Sequence, residues 1–261
     1  MKFVRFLESD SISYGLLEGE DIVKVNGNIF ENYKVTSERL PVSQVKLLAP
    51  LQPGKLVAIG LNYKKHAEEV NKPLPAEPMM FLVSPTAVVG PDDEIKLANP
   101  ENRTEHEAEI AIVIGKTAEY VSKEEALQYV FGYTVCNDVS DRVLQKRDGQ
   151  FTRAKSFSTY KPLGPVIATD VDPDNCPISL RVNGETRQDS NTSDMIFSTA
   201  EIVSFVSHVM RLEPGDVIIT GTSSGVSPLY DGDVVETEIK GIGILSNPVT
   251  VKNKIAAEST F

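Results

Sequence analysis

The sequence predicts a mostly β chain with a few helices, of the α+β class, and three observations carry that prediction. Short apolar runs rich in Val and Ile alternate with Gly, Asn, Asp and Pro turn signals along most of the length. Few stretches show helical spacing behind a capping residue. The third observation is the stretch from Thr104 to Gly115, where β-branched Ile110, Ile112, Val113 and Ile114 are closed by a glycine and read as a strand. Alternation on that strand puts Glu107 and Glu109 on one face, whereas a helix would set them roughly 200° apart. Two glutamates side by side on a packed sheet repel and lose solvation unless positive charge lies between them. A divalent metal answers that requirement. So does an edge strand that leaves both in water, or pairing with lysines.

The remaining elements follow in chain order. Residues 1–49 alternate Val4–Leu7, Ser13–Leu17 and Ile22–Val25 with turn signals at Gly19 and Gly27, a small antiparallel β unit joined by hairpins. The prolyl segment from Ala49 to Gly54 marks a boundary, and residues 50–261 form the expected larger domain. Lys55–Gly60 reads as a buried strand, after which Asn62 is placed to cap a helix from Tyr63 to about Asn71. His66 and Glu69 share a face of that helix, where the carboxylate would hold the imidazole in one tautomer, as a water-activating group requires. An exposed polar pair is the alternative. The proline-rich segment from Lys72 to Pro78 makes the helix a candidate lid.

Met79–Val83 and Ala87–Val89 read as strands, and Ser122 through Glu125 as a capping box opening a helix to about Val130. Strand Phe131–Cys136 delivers Asp138 at its end, as a ligand-facing group or as the cap of the following turn. Lys155 lies in a basic group, either near an anionic substrate or on the surface. Asn183-Gly184 signals a type I′ hairpin. Thr199 is placed to cap a helix to about Leu212 with Ile202, Val203, Phe205, Val206, Val209 and Met210 inward, and His208 on it reads as structural. Strand Val217–Thr220 runs into the loop from Gly221 to Val226, whose N–H groups and Thr222 hydroxyl suit an anion. Strands near Val234–Ile239 and Leu245–Val251 complete the sheet.

Composition narrows the function. A chain of 261 residues buries roughly 70–75% of its unfolded surface. A formal charge of −11 argues against a polyphosphate binder, so no nucleic-acid partner is expected. The opening Met1–Phe6 has no apolar signal region and no window approaches a membrane span, so a cytoplasmic protein without a membrane partner is expected. Two isolated cysteines build neither a disulfide framework nor a thiolate zinc site, and His66, His106 and His208 sit in unrelated contexts, which favours hard oxygen ligands for any metal.

Taken together, several blocks resemble the short form of the fumarylacetoacetate hydrolase family. They are Gly60-Leu61-Asn62-Tyr63 with His66 and Glu69, His106-Glu107-Ala108-Glu109, Asn137-Asp138-Val139-Ser140 with Arg142 and Gln145, Arg153 through Phe157, Asn191 through Phe197, and Gly221-Thr222. The resemblance implies a mixed β-sandwich roll, usually a homodimer, that binds Mg²⁺ or Mn²⁺ through Glu107, Glu109 and Asp138. It implies that Lys155, Arg142, Gln145 and Thr222 face a small 2-oxo acid, and that a closing lid brings His66 and Glu69 over the site. The activities implied belong to aromatic-compound catabolism and pass through an enolate: 2-hydroxyhepta-2,4-diene-1,7-dioate isomerase or acylpyruvate hydrolase, with oxaloacetate decarboxylase as the alternative. A metabolite-binding protein without turnover is the alternative from another class. Leu61 and Val83 stand where many members are basic, and Asp141 and Val143 also depart from the family pattern.

Overall fold

The computed structural model describes residues 1–251, so residues 252–261 of the expected larger domain lie outside them. Two large sheets and a two-stranded ladder of Thr104–Glu105 with Ser140–Asp141 form the architecture. The larger runs, in spatial order, through Tyr33–Pro41, Asp21–Gly27, Ser11–Glu18, Lys2–Glu8, Lys161–Ala168, Val130–Asn137, Ala108–Ile114, Val217–Ile219, Leu56–Ile59 and Met80–Val83. The smaller runs through Glu185–Asn191, Pro177–Val182, Val234–Ile239, Gly243–Val251 and Ile95–Leu97. Most neighbours are antiparallel, but Val217–Ile219 runs parallel to Leu56–Ile59, and Gly243–Val251 parallel to Ile95–Leu97, so both sheets are mixed. The unit expected over residues 1–49 is joined to the rest through Lys2–Glu8, which pairs with Lys161–Ala168.

Alternation along Ala108–Ile114 explains the layering. Ile110, Ile112 and Ile114 pack with Ile178, Leu180, Val235 and Leu245 of the smaller sheet and with Ile202, Val203 and Val206. Ala111 and Val113 belong to the opposite face, with Leu56, Ala58, Val217 and Ile219. Each fully buried isoleucine contributes about 1.5–3 kcal/mol, so a one-residue slip of this strand is prohibitive. Glu109 has the parity of Ala111 and Val113 and therefore leaves the sandwich core to the isoleucines.

Four α-helices are present among the described residues: α1 (Lys64–Glu69), α2 (Arg142–Asp148), α3 (Thr152–Lys155) and α4 (Thr199–Val209). None is long and apolar enough to cross a membrane. Several local expectations are corrected. The strand expected from Thr104 to Gly115 is broken at His106 and Glu107, because Thr104–Glu105 pairs separately with Ser140–Asp141. Asn62 does not cap α1; its buried side chain donates to Thr220 O at 2.8 Å and accepts from Phe197 N–H at 2.8 Å. The helix expected after Ser122 is only a 3₁₀ turn, Ala126–Tyr129, since the chain enters the strand Val130–Asn137 at once. Ser198, not Thr199, caps α4 through a capping box with Glu201, and the helix ends at Val209, which is 59% exposed rather than inward. Asp141 caps α2 by accepting from Leu144 N–H at 3.0 Å, and takes the Asn99 and Asn102 amides on its other oxygen. The departure at Asp141 is thus structural. Strands Tyr33–Pro41 and Lys161–Ala168 carried no recognised signal, being polar in the first case and proline-interrupted in the second. The Asn183-Gly184 hairpin is as expected, with φ of 53° and 79°.

Candidate metal centre

Strand register builds the site. Glu109 lies opposite Cys136 and Ala108 opposite Asn137, so Glu107 falls opposite Asp138, and Asp138 N–H donates to Glu107 O at 2.9 Å. Cross-strand neighbours of this kind bring side chains to within a few ångströms. One carboxylate oxygen from each of Glu107, Glu109 and Asp138 lies within 4.8 Å of the others, and all three residues are buried.

The surroundings of the three differ. Glu107 is the paired one: Arg142 Nη2 donates to Oε1 at 2.5 Å and Lys155 Nζ to Oε2 at 2.7 Å. Burial pushes its pKa up, but Arg142 and Lys155 outweigh burial and bring it down to about 2. Glu109 accepts from Gly221 N–H at 2.7 Å, and burial together with the Asp138 and Glu107 charges holds its pKa well above the carboxylate range. Asp138 accepts from Lys155 Nζ at 2.6 Å on Oδ2. Its Oδ1 lies 2.7 Å from Lys161 Nζ but off the line of a hydrogen bond, which leaves that buried oxygen without one among the described residues. Glu109, which forms no ion pair among the described residues, completes with Glu107 and Asp138 an all-oxygen donor set of the kind a hard divalent cation fits.

The other expected site residues sit around one cavity of about 380 Å³, lined by His66, Glu107, Glu109, Arg142, Gln145, Lys155 and Thr222 among others. Lys155 is the last residue of α3 and fully enclosed; burial works against its ammonium, yet Asp138 and Glu107 raise its pKa above the usual lysine value. Arg142 opens α2, spans Glu105 at 2.6 Å and Glu107, and donates to Gln145 Oε1 at 2.8 Å. His66 Nδ1 is 2.8 Å from Glu69 Oε2, while Glu69 Oε1 accepts from Gly225 N–H at 2.9 Å, so α1 is tied to the glycine loop. Lys65 N–H donates to Asp194 Oδ2 at 3.1 Å, which anchors the start of α1. The loop's expected anion donors are taken up internally: Gly221 by Glu109, Gly225 by Glu69, and the Thr222 hydroxyl by Ala108 O at 2.9 Å. Gly221 must be glycine, with φ of 91° and only 2.7 Å from an added Cβ to Gly60 O. His208, on α4, is exposed with its ring against Tyr120.

Three residues of the site were missed from the sequence. Lys161 is fully buried and donates to Val139 O and Tyr160 O; a lysine at the head of the run Pro162-Leu163-Gly164-Pro165-Val166 was the available signal. Glu105 is the second anchor of Arg142. Gln188 sits on a polar strand that reads as exposed, yet it is buried, accepting from Ala108 N–H at 3.0 Å and donating to Thr222 Oγ1 at 2.8 Å.

Because Gln188 Oε1 is an acceptor, His106 Nδ1–H donates to it at 3.0 Å and Nε2 accepts from Ser227 at 2.8 Å, the neutral tautomer. Burial lowers the His106 pKa to about 4. The unfolded chain binds that proton near 6.5 and the folded one only near 4, so the unfolded state holds more protons in between. Stability therefore falls as pH drops through this window, by about 3 kcal/mol in total. Urea unfolding at pH 7 and pH 5 checks this, and His106→Gln flattens the slope.

Residues 55–250 match the family model described as fumarylacetoacetate (FAA) hydrolase C-terminal, and residues 1–50 match Rv2993c-like, N-terminal. The chain is similar to the solved structure of 5-carboxymethyl-2-hydroxymuconate delta-isomerase from Mycobacterium smegmatis, with 39% identity and a TM-score of 0.91 over 97% of this chain and 100% of that one. It is similar to maleylpyruvate hydrolase from Sphingobium sp. SYK-6, solved with manganese(II) ion and pyruvate, at 28% identity and a TM-score of 0.82 over 97% of this chain and 100% of that one. Mitochondrial oxaloacetate tautomerase FAHD2A of Bos taurus is 43% identical over 223 residues, 80% of this chain and 71% of that protein. Matched by the family model across residues 55–250 and by these relatives over most of its length, the chain belongs to the fumarylacetoacetate hydrolase family.

Proposed function

We propose that the protein is a divalent-metal-dependent enzyme acting on 2-oxo or 2-hydroxydienoic diacids, as a 2-hydroxyhepta-2,4-diene-1,7-dioate isomerase or an acylpyruvate hydrolase. The observation that carries this reading is the convergence of Glu107, Glu109 and Asp138, three buried carboxylates of which Glu109 forms no ion pair among the described residues. Bound there, Mg²⁺ or Mn²⁺ supplies polarisation of a 2-oxo carbonyl and stabilises the enolate charge that develops next to it. The isomerase and the manganese- and pyruvate-bound hydrolase among its relatives support the same chemistry.

The chain's own residues do the rest. Lys155 brings a buried ammonium to the cavity, where low dielectric strengthens its hold on negative charge growing on a substrate oxygen. His66 uses Nδ1 on Glu69, which frees Nε2 to take or return a proton. The Glu69 latch to Gly225 holds α1 at the cavity, with His66 on its wall. Arg142 fixes Glu107 in place while Gln145, one turn on, lines the same wall.

A second reading is favoured by the tautomerase relative: oxaloacetate as substrate, either tautomerised or decarboxylated. Assaying the purified protein with Mg²⁺ or Mn²⁺, and with EDTA, against an acylpyruvate, a dienol diacid and oxaloacetate separates these. Inactivity on all three, with 2-oxo acids still raising Tm in a metal-dependent way, would leave a non-catalytic binding protein. His66→Asn is expected to lower hydrolysis or proton transfer roughly 10²–10⁴-fold. Decarboxylation needs no base and is spared, so the pattern of loss across the three substrates reports the reaction.

A further inference from the structure

The cavity carries positive charge that no carboxylate of the described chain neutralises. Arg142, Gln145 and Lys146 line it and all lie on α2. Residues four apart share a helix face, so Arg142 and Lys146 stand one turn, roughly 5–6 Å, apart along the same wall. Arg142 is committed to Glu105 and Glu107. Lys146 is exposed and forms no ion pair among the described residues.

Lys72 lines the same cavity from the lid. After α1, Asn71 takes φ of 51° and Lys72 N–H returns to Ala67 O at 2.9 Å, a left-handed closure that turns the chain back. Lys72 is likewise exposed and without an ion pair among the described residues. Other walls of the cavity, at Ile59, Val70, Met79, Phe151 and Val226, are apolar.

We propose that Lys72 and Lys146 form a second anion subsite, which selects 2-oxo acids bearing a further carboxylate across an apolar chain from the 2-oxo acid group. The inference rests on the reading of Glu107, Glu109 and Asp138 as the seat of that group. The cations at the floor, Arg103, Arg142, Lys155 and Lys161, are each tied to Glu105, Glu107 or Asp138, so none is left free for a second carboxylate. It gains at the lysines, whose solvated charges attract modestly one by one and act together on a ligand held at its other end. A cavity of about 380 Å³ lies in the range of small-molecule sites.

Isothermal titration of the full chain with Mg²⁺ tests this, with 2-oxoadipate against 2-oxohexanoate, which share one carbon chain and differ in the terminal carboxylate. The diacid is expected to bind about fivefold tighter at low salt, with the advantage shrinking as ionic strength rises. Lys72→Met and Lys146→Met each reduce that advantage and the double variant removes it, the loss being confined to the diacid. Equal affinity of the two acids for the unmodified protein overturns the subsite alone, as does equal weakening of both by the variants. If neither acid binds, the seat for the 2-oxo acid group is itself overturned, and the subsite with it.

Discussion

Glu109→Gln is expected to yield a folded protein that no longer gains stability from Mg²⁺ or Mn²⁺ and turns over roughly 10³-fold more slowly. Metal at a hundred times its Kd adds about 2.7 kcal/mol to the stability of a protein that binds it only when folded, and the variant should lose that increment. Glu109 is buried, and burial with the Asp138 and Glu107 charges favours its neutral form without a cation. A glutamine is therefore a close mimic of the metal-free side chain, able to accept the Gly221 N–H bond through its amide oxygen. What it lacks is the charge that a cation requires. Thermal denaturation of both proteins with MgCl₂, MnCl₂ and EDTA decides the matter, and a variant that kept the full metal-induced rise would move the cation elsewhere.

Asp138→Asn is expected to destabilise the fold itself, by about 3–5 kcal/mol, because it strands a buried cation. Lys161 is fully buried, and burial lowers its pKa in spite of Asp138 at 2.7 Å. With the carboxylate gone, its ammonium keeps only the carbonyls of Val139 and Tyr160. Lys161→Met does the converse and leaves Asp138 with Lys155 alone. The two losses share one ion pair, so the double variant should cost less than their sum by about 2–3 kcal/mol. Urea unfolding of the four proteins completes the cycle, and strict additivity would mean that Lys161 does not support Asp138.

Much of the site was legible because its acids interrupt patterns that otherwise bury apolar groups. Glu107 immediately precedes an isoleucine-rich strand, Glu109 lies near its start, and Asp138 follows a second buried strand, so each stood out against its neighbours. Their partners were less visible. Gln188 lies on a strand whose other side chains are mostly solvated, and nothing local says that this one turns inward. Helix starts were misplaced at Asn62 and Thr199, and only a 3₁₀ turn follows Ser122. A capping residue satisfies N–H groups only when the chain does not need it elsewhere, and Asn62 is held by Phe197 and Thr220, far away in sequence.

From the amino-acid order alone came the α+β class, the principal strands, the inward-facing isoleucines that leave Glu109 on the other face, and the pairing of His66 with Glu69, since all of these depend on spacings within a few residues. The tertiary structure alone decided that Asp138 lies opposite Glu107, that Lys155 and Lys161 both reach it, and that Gly225 ties down Glu69 of α1. Those contacts join residues tens to more than a hundred positions apart. Strand register and sheet order, which no local pattern encodes, determine where they meet.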